Sequence, residues 1–185
     1  MNQLPTMASI REHLNAGGTI AYPTEGVWGL GCDPHNKAAV MRILQIKGRE
    51  VEKGLILVAS NLQQIHELIS PLPQAARTLL KQSCPGPDTW LIPDPNQVIP
   101  SWIKGSFSTV AVRVSQHPLV KALCDECGLL VSTSANPAGS DPAMSQAQVE
   151  AYFGAEDIRI VPGDLGGQDG PSRIIDLQSQ QVLRA

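Results

Sequence analysis

Aromatic side chains are scarce in this sequence, at 4% of 185 residues. That scarcity argues against a surface that stacks successive bases, as single-strand nucleic-acid binders do. Charge is low as well: 14 Lys and Arg against 17 Asp and Glu give a net charge of −3. Nothing in the total draws the chain to nucleic acid or to an acidic membrane surface, although a local basic face remains compatible with RNA. No apolar run exceeds the length of Leu55–Ala59 by enough to cross a bilayer. The first residues, MNQLPTMASIREHLNAGG, lack a basic stretch followed by an apolar core, so no signal peptide is expected. Four cysteines fit a reducing cytoplasm better than a disulfide scaffold.

Several catalytic signatures are missing too. No lysine is followed by Ser or Thr, which removes a Walker A loop, and the four histidines show no H-E-x-x-H spacing. No G-x-S-x-G elbow surrounds Ser132 or Ser134. Cys124-Asp125-Glu126-Cys127 is a lone C-x-x-C on a helix, without the second ligand pair zinc requires. The two acids between its sulfurs would raise the thiol pKa and disfavour redox work.

What is present reads as one globular α/β domain over residues 1–185, with 42% hydrophobic residues and no linker or repeat. Helical spacing is expected over Thr6–Ala16, Lys37–Lys47 (capped by Asn36, ended by Gly48), Asn61–Ile69, Pro73–Gln82, Pro118–Cys127 and Ser145–Phe153. Strands are expected at Thr19–Tyr22, Leu55–Ser60, Thr89–Ile92, Thr109–Val114, Leu129–Ser132, Ile158–Val161, Arg173–Leu177 and Val182–Arg184. Pro93–Ser108 reads as a loop. Strands and helices alternate, with hairpin-like pairs near both ends. This pattern predicts a layered, mixed parallel and antiparallel sheet with helices packed on it.

Three stretches carry candidate chemistry. Thr19–Pro34 runs from a buried strand, stopped by Pro23, through Thr24-Glu25-Gly26 into a glycine-punctuated run. It is either a hairpin whose glycines serve the turn or the mouth of a small-molecule site. Lys47-Gly48-Arg49, with Lys53 four residues on, either complements the negative pole of a helix or cradles an anion. Ser132-Thr133-Ser134-Ala135-Asn136 follows a buried strand, where α/β sheets bind ligands; the alternative is a cap-and-turn cluster. Arg113 lies on the opposite parity from Val110, Val112 and Val114, and a guanidinium so placed must be paired, structurally or by a ligand.

Taken in order, YPTEGVWGLGCDP (Tyr22–Pro34), KGR (Lys47–Arg49), PGPDTW (Pro85–Trp90), TVAVRV (Thr109–Val114) with His117-Pro118, VSTSAN (Val131–Asn136) and the late PSRIID with its terminal arginine resemble the YrdC-like threonylcarbamoyl-AMP synthase family. The resemblance spans nearly the whole chain, in the short single-domain form. It implies a three-layer α/β fold (α+β type), a twisted mixed sheet with helices on both sides and a concave cavity. It implies a nucleotidyltransferase making threonylcarbamoyl-AMP and pyrophosphate from L-threonine, bicarbonate and ATP, for threonylcarbamoyladenosine modification of tRNA next to the anticodon.

By that resemblance Lys47 and Arg49 are catalytic, and ATP is held by Lys47, Arg49, Lys53, Thr109, Ser134, Asn136 and Arg184. Threonine or its carbamate is held by Thr24, Arg113, Ser132 and Ser172. Mg2+ would accompany ATP with unknown protein ligands, and no tightly bound organic cofactor is expected. Partners implied are tRNA or structured RNA and the downstream tRNA threonylcarbamoyl-transfer proteins, with no membrane. Two positions depart from the pattern: Glu50 stands where a proline commonly follows the arginine, and Gly26 where a threonine is often seen. The rival reading is a non-catalytic double-stranded RNA- or tRNA-binding or ribosome-maturation factor using the same hollow.

Overall fold

The structure is a computed structural model that describes residues 5–184. Its elements are α1 (Met7–Asn15), β1 (Thr19–Pro23), β2 (Trp28–Gly31), α2 (Lys37–Lys47), β3 (Ile56–Ala59), α3 (His66–Ile69), α4 (Gln74–Ser83), β4 (Thr89–Pro93), α5 (Ser101–Lys104), β5 (Thr109–Val114), α6 (Pro118–Cys127), β6 (Leu130–Ser134), α7 (Gln146–Phe153), β7 (Ile158–Ile160), β8 (Ile174–Asp176) and β9 (Val182–Arg184). Short 3-10 turns occupy Val51–Lys53 and Leu62–Ile65.

The nine strands among the described residues join one sheet in the order β7-β1-β2-β6-β3-β5-β4-β8-β9. Pairs β1–β7, β3–β5 and β4–β8 are parallel, and the others antiparallel. The mixed order and the two terminal hairpins, β1–β2 and β8–β9, match the pattern expected from the sequence.

Strand parity separates two cores, as side chains alternate between faces. Ile20, Tyr22, Val58 and Leu130 pack with Ile10 and Leu14 of α1 and with Val120, Leu123 and Cys124 of α6. Their neighbours Ala21, Leu57, Ala59 and Val131 join the larger core with residues of α2, α3, α4 and α7. Helices therefore cover both faces, giving three layers.

Caps fall where the sequence places them. The Asn36 side chain accepts from the Ala39 N–H at 3.1 Å, and Gly48 ends α2 with φ +62°. Thr6 caps α1 and Ser145 caps α7 in the same way. The expected loop Pro93–Ser108 instead contains α5. The buried Asp94 carboxylate accepts from the N–H groups of Val98 and Ile99 and pairs with Lys104 at 2.8 Å. That knot seats Ile103 in the core, and proline content alone hides it. The helix expected over Asn61–Ile69 is a capped 3-10 turn running into one α-turn. Strand β6 runs two residues further than expected, because Thr133 and Ser134 pair with Leu30 and Gly29 of β2.

Candidate active site

On the face that carries α1 and α6, the register brings polar positions from distant strands together. Arg113 of β5 stands beside Val58 of β3, Ser132 of β6 beside Ile56, and Ser134 beside Gly29 of β2. Past α1 and α6 this face is open and forms two adjoining cavities. The first, about 120 Å3, is lined by Thr24, Trp28, Gly29, Arg49, Arg113, Ser132, Thr133, Ser134, Ser172 and Arg184, among others. The second, about 280 Å3, shares Arg49, Leu55, Ile56 and Arg184 with the first. Lys53, Lys104 and Thr109 edge it, and Leu91, Ile103, Phe107, Ala111, Ile174 and Leu183 give it an apolar lining.

Nine of the eleven residues nominated from sequence thus face one continuous hollow: Thr24, Arg113, Ser132, Ser134 and Ser172 in the first part, Lys53 and Thr109 in the second, Arg49 and Arg184 between them. Lys47 and Asn136 do not line it. Lys47 is buried, and its ammonium donates to the Ser134 carbonyl, to the Asn136 carbonyl at 2.7 Å and to Asn136 Oδ1 at 3.5 Å. The Asn136 amide nitrogen donates to the Ser140 carbonyl at 2.7 Å. This pair braces the strand end that presents Ser134, whereas the sequence reading gave both side chains to ATP.

Each remaining residue has a defined support. Arg49 donates through Nε and Nη2 to the Gly54 carbonyl, at 3.3 and 2.9 Å. Glu50 points to solvent and pairs with Lys53 at 3.1 Å, so it adds no carboxylate to the hollow. Thr24 Oγ1 donates to the Val27 carbonyl at 2.7 Å, closing the turn after β1. Ser172 is buried, its hydroxyl 2.7 Å from that of Thr89, and its carbonyl accepts from Arg184 Nη2 at 2.6 Å. Arg113 is also buried and faces Glu25 Oε2 at 3.1 Å, so it is paired with a carboxylate and also lines the first cavity.

The electrostatics favour an anionic guest. Burial, then the nearby charges of Arg113 and Arg49, lower the Arg184 pKa from its ordinary value. Burial does the same to Arg49. Burial, then Arg49, pushes Lys47 down to about 8. Cations held this close without carboxylates among the lining residues gain from a negative charge placed between them. Burial raises the thiol pKa of Cys124 to about 12, which leaves it a core side chain. Among the described residues no group of three or more His, Cys, Asp or Glu converges as a metal cluster.

Sequence reasoning missed the apolar half of the hollow and Lys104. Parity could have found part of it, since Ala111 shares the face of Thr109 and Arg113 and stands beside Leu91.

A mixed sheet that gathers guanidiniums and hydroxyls around a hollow half polar and half apolar defines an α/β protein built to hold small anionic molecules. The pattern of the Sua5/YciO/YrdC family, described as “Telomere recombination”, matches residues 12–185, and the chain belongs to that family. It is 54% identical over 179 residues to a threonylcarbamoyl-AMP synthase of Marinobacter nauticus, covering 96% of this chain and 94% of the relative. It is 52% identical over 168 residues to one of Pseudomonas aeruginosa, covering 91% and 90%. Among solved structures, E. coli YciO superposes with TM-score 0.83 at 25% identity, covering 96% of this chain and 87% of that one. Pyrococcus abyssi Sua5 complexed with L-threonine superposes with TM-score 0.81 at 31% identity. That alignment covers 92% of this chain and 51% of Sua5, so this chain spans about half the length of that neighbour.

Proposed function

We propose that this protein is an L-threonylcarbamoyladenylate synthase, joining L-threonine, bicarbonate and ATP into threonylcarbamoyl-AMP with release of pyrophosphate. The observation that carries the reading is the single hollow with two chemistries. Its polar part is too small for a nucleotide and suits an amino acid bearing two negative groups. Its apolar part, flanked by Lys53, Thr109 and Arg184, suits an adenine ring with phosphates directed toward Arg49.

The chemistry needs no side-chain nucleophile. The threonine amine adds to bicarbonate and water leaves, giving an N-carboxylate that is itself a nucleophile. Its oxygen forms a bond to the α-phosphorus while the bond to the bridging oxygen of pyrophosphate breaks. The obstacle is repulsion between two anions, so positioning and cationic stabilisation supply most of the rate. Arg113 neutralises the amino acid carboxylate, with Thr24 and Ser172 beside it. Ser132 and Ser134 hold the carbamate and α-phosphate oxygens. Arg49, Lys53 and Arg184 offset the phosphate charge. Lys47 and Asn136 act by fixing the Ser134 strand end. Hydroxyls and guanidiniums do not make a cage for magnesium, so Mg2+ would arrive with the phosphates and keep most of its water.

The labile product then serves a partner that transfers the threonylcarbamoyl group to tRNA, and a cytoplasmic location goes with ATP and tRNA as reactants. The test is pyrophosphate release from ATP that requires both threonine and bicarbonate. A non-catalytic RNA-binding factor would release none.

A further inference from the structure

Glu25 lines neither cavity, yet it is buried. Its Oε1 accepts from Ser115 Oγ at 2.6 Å and from the Gln116 N–H at 3.2 Å, which leaves Oε2 facing Arg113 Nη2 at 3.1 Å as an ion pair, with no hydrogen bond to it among the described residues. Burial opposes its ionisation, but Arg113, Ser115 and Gln116 outweigh burial and hold its pKa below the usual carboxylate range. The anchor is itself anchored. Ser115 Oγ accepts from the His117 N–H at 3.1 Å, and His117 Nε2 lies 2.9 Å from the Asp164 carbonyl. Gln168 N–H donates to the Glu25 carbonyl at 2.8 Å. The side chain is thus held by the single run Arg113–Gln116, while the Gln168 segment holds its backbone.

Arg113 needs such a partner. It stands in an apolar strand, only 7% exposed, and its Nε has no hydrogen-bond partner among the described residues. A guanidinium on a long flexible stem presents a fork to a carboxylate only when one edge is fixed. We infer that Glu25 is a positioning residue for threonine: it holds one edge of the Arg113 guanidinium so that the rest meets the amino acid carboxylate. Arg49 and Arg184 keep the hollow positive in spite of the added carboxylate. The inference rests on the reading that Arg113 binds threonine.

The experiment measures pyrophosphate release with threonine and ATP varied separately, in Glu25→Ala, Glu25→Gln, Arg113→Ala and the Glu25→Ala/Arg113→Ala double variant. Glu25→Ala is expected to raise the threonine KM about tenfold or more while changing the ATP KM less than about threefold. Glu25→Gln keeps one acceptor, for Ser115, but turns an amide NH2 toward Arg113 and removes the charge, so its threonine KM is expected to stay raised like that of Glu25→Ala. Because Glu25 acts through Arg113, the double variant has a threonine KM no higher than Arg113→Ala alone. Equal effects on both KM values, no effect, or a double variant that multiplies the two losses would overturn the inference. Should Glu25→Ala not fold, Ser115→Ala removes the anchor alone: a rise of about threefold in the threonine KM only is expected, and no change overturns the inference. If Arg113→Ala leaves the threonine KM unchanged, the Arg113 reading falls and takes the inference with it. If Arg113→Ala raises it and Glu25→Ala does not, the inference alone falls.

Discussion

Replacing Gly26 by alanine tests how tightly the hollow is closed on one side. The irregular segment before β8 crosses the turn after β1, where Gly166 N–H donates to the Thr24 carbonyl at 3.0 Å and Gln168 N–H to that of Glu25 at 2.8 Å. A Cβ on Gly26 would lie 1.9 Å from the Gly170 carbonyl oxygen and 3.0 Å from that of Gln168. Both neighbours are backbone, so no rotamer change relieves the contact. Restoring ordinary separation requires the segment to retreat by about 1.5 Å. Gly26 does not lie in the left-handed region, so the cost is steric and not conformational. Forcing such a contact costs about 1–3 kcal/mol, read as a shift in the urea midpoint at unchanged slope. The larger effect falls on activity, because Gly170, Pro171 and Ser172 line the first cavity. A misplacement near 1 Å lowers turnover on the order of a hundredfold, with the threonine KM rising more than the ATP KM. A Gly26→Ala protein with native stability and native KM values would refute this packing. A threonine there demands that the crossing segment run elsewhere, which accounts for glycine in this chain.

Arg49→Ala is expected to lower kcat/KM about a hundredfold, as loss of a preorganised cationic stabiliser does, and near-normal steady-state turnover would contradict its role. Lys47 gives an alkaline limb: with its pKa down at about 8, raising the pH removes the ammonium that braces Ser134, and activity falls. The Lys47→Arg variant, which keeps its charge, moves that limb to higher pH. Stability runs the other way: between about pH 8 and the ordinary lysine pKa of 10.5 the unfolded chain keeps a proton the folded chain has released, so this group's contribution rises with pH. Urea titrations of wild type and Lys47→Met across that window check the sign. Ala111→Phe fills the apolar part of the hollow and is expected to raise the ATP KM about tenfold, roughly 1.4 kcal/mol, with the threonine KM unchanged; the reverse selectivity would place the adenine elsewhere.

Much of this arrangement is legible in the sequence because its signals are local. Asn36 and Gly48 bound α2 by cap chemistry, and the alternation of TVAVRV sets Arg113 against the valines around it. What escaped depends on partners far along the chain. Lys47 reads as a phosphate cation until Ser134 and Asn136, nearly ninety residues on, present their carbonyls to it. Asp94 reads as a loop residue until Lys104 and two N–H groups close around it. Glu25 reads only as part of the turn beside Thr24, whereas Arg113 of β5 and Ser115 just after it come to it from about ninety residues away. The family resemblance collects the residues around the hollow but does not separate those that face it from those that hold them.

The central claim is that one hollow brings the threonine carbamate and ATP together on cations and hydroxyls without a protein nucleophile. The direct measurement is pyrophosphate release by the purified chain, with threonine, bicarbonate and ATP omitted in turn. The account predicts release only when all three are present, with an equal amount of threonylcarbamoyl-AMP formed. Release that persists without threonine or bicarbonate, or its absence with all three supplied, would contradict it.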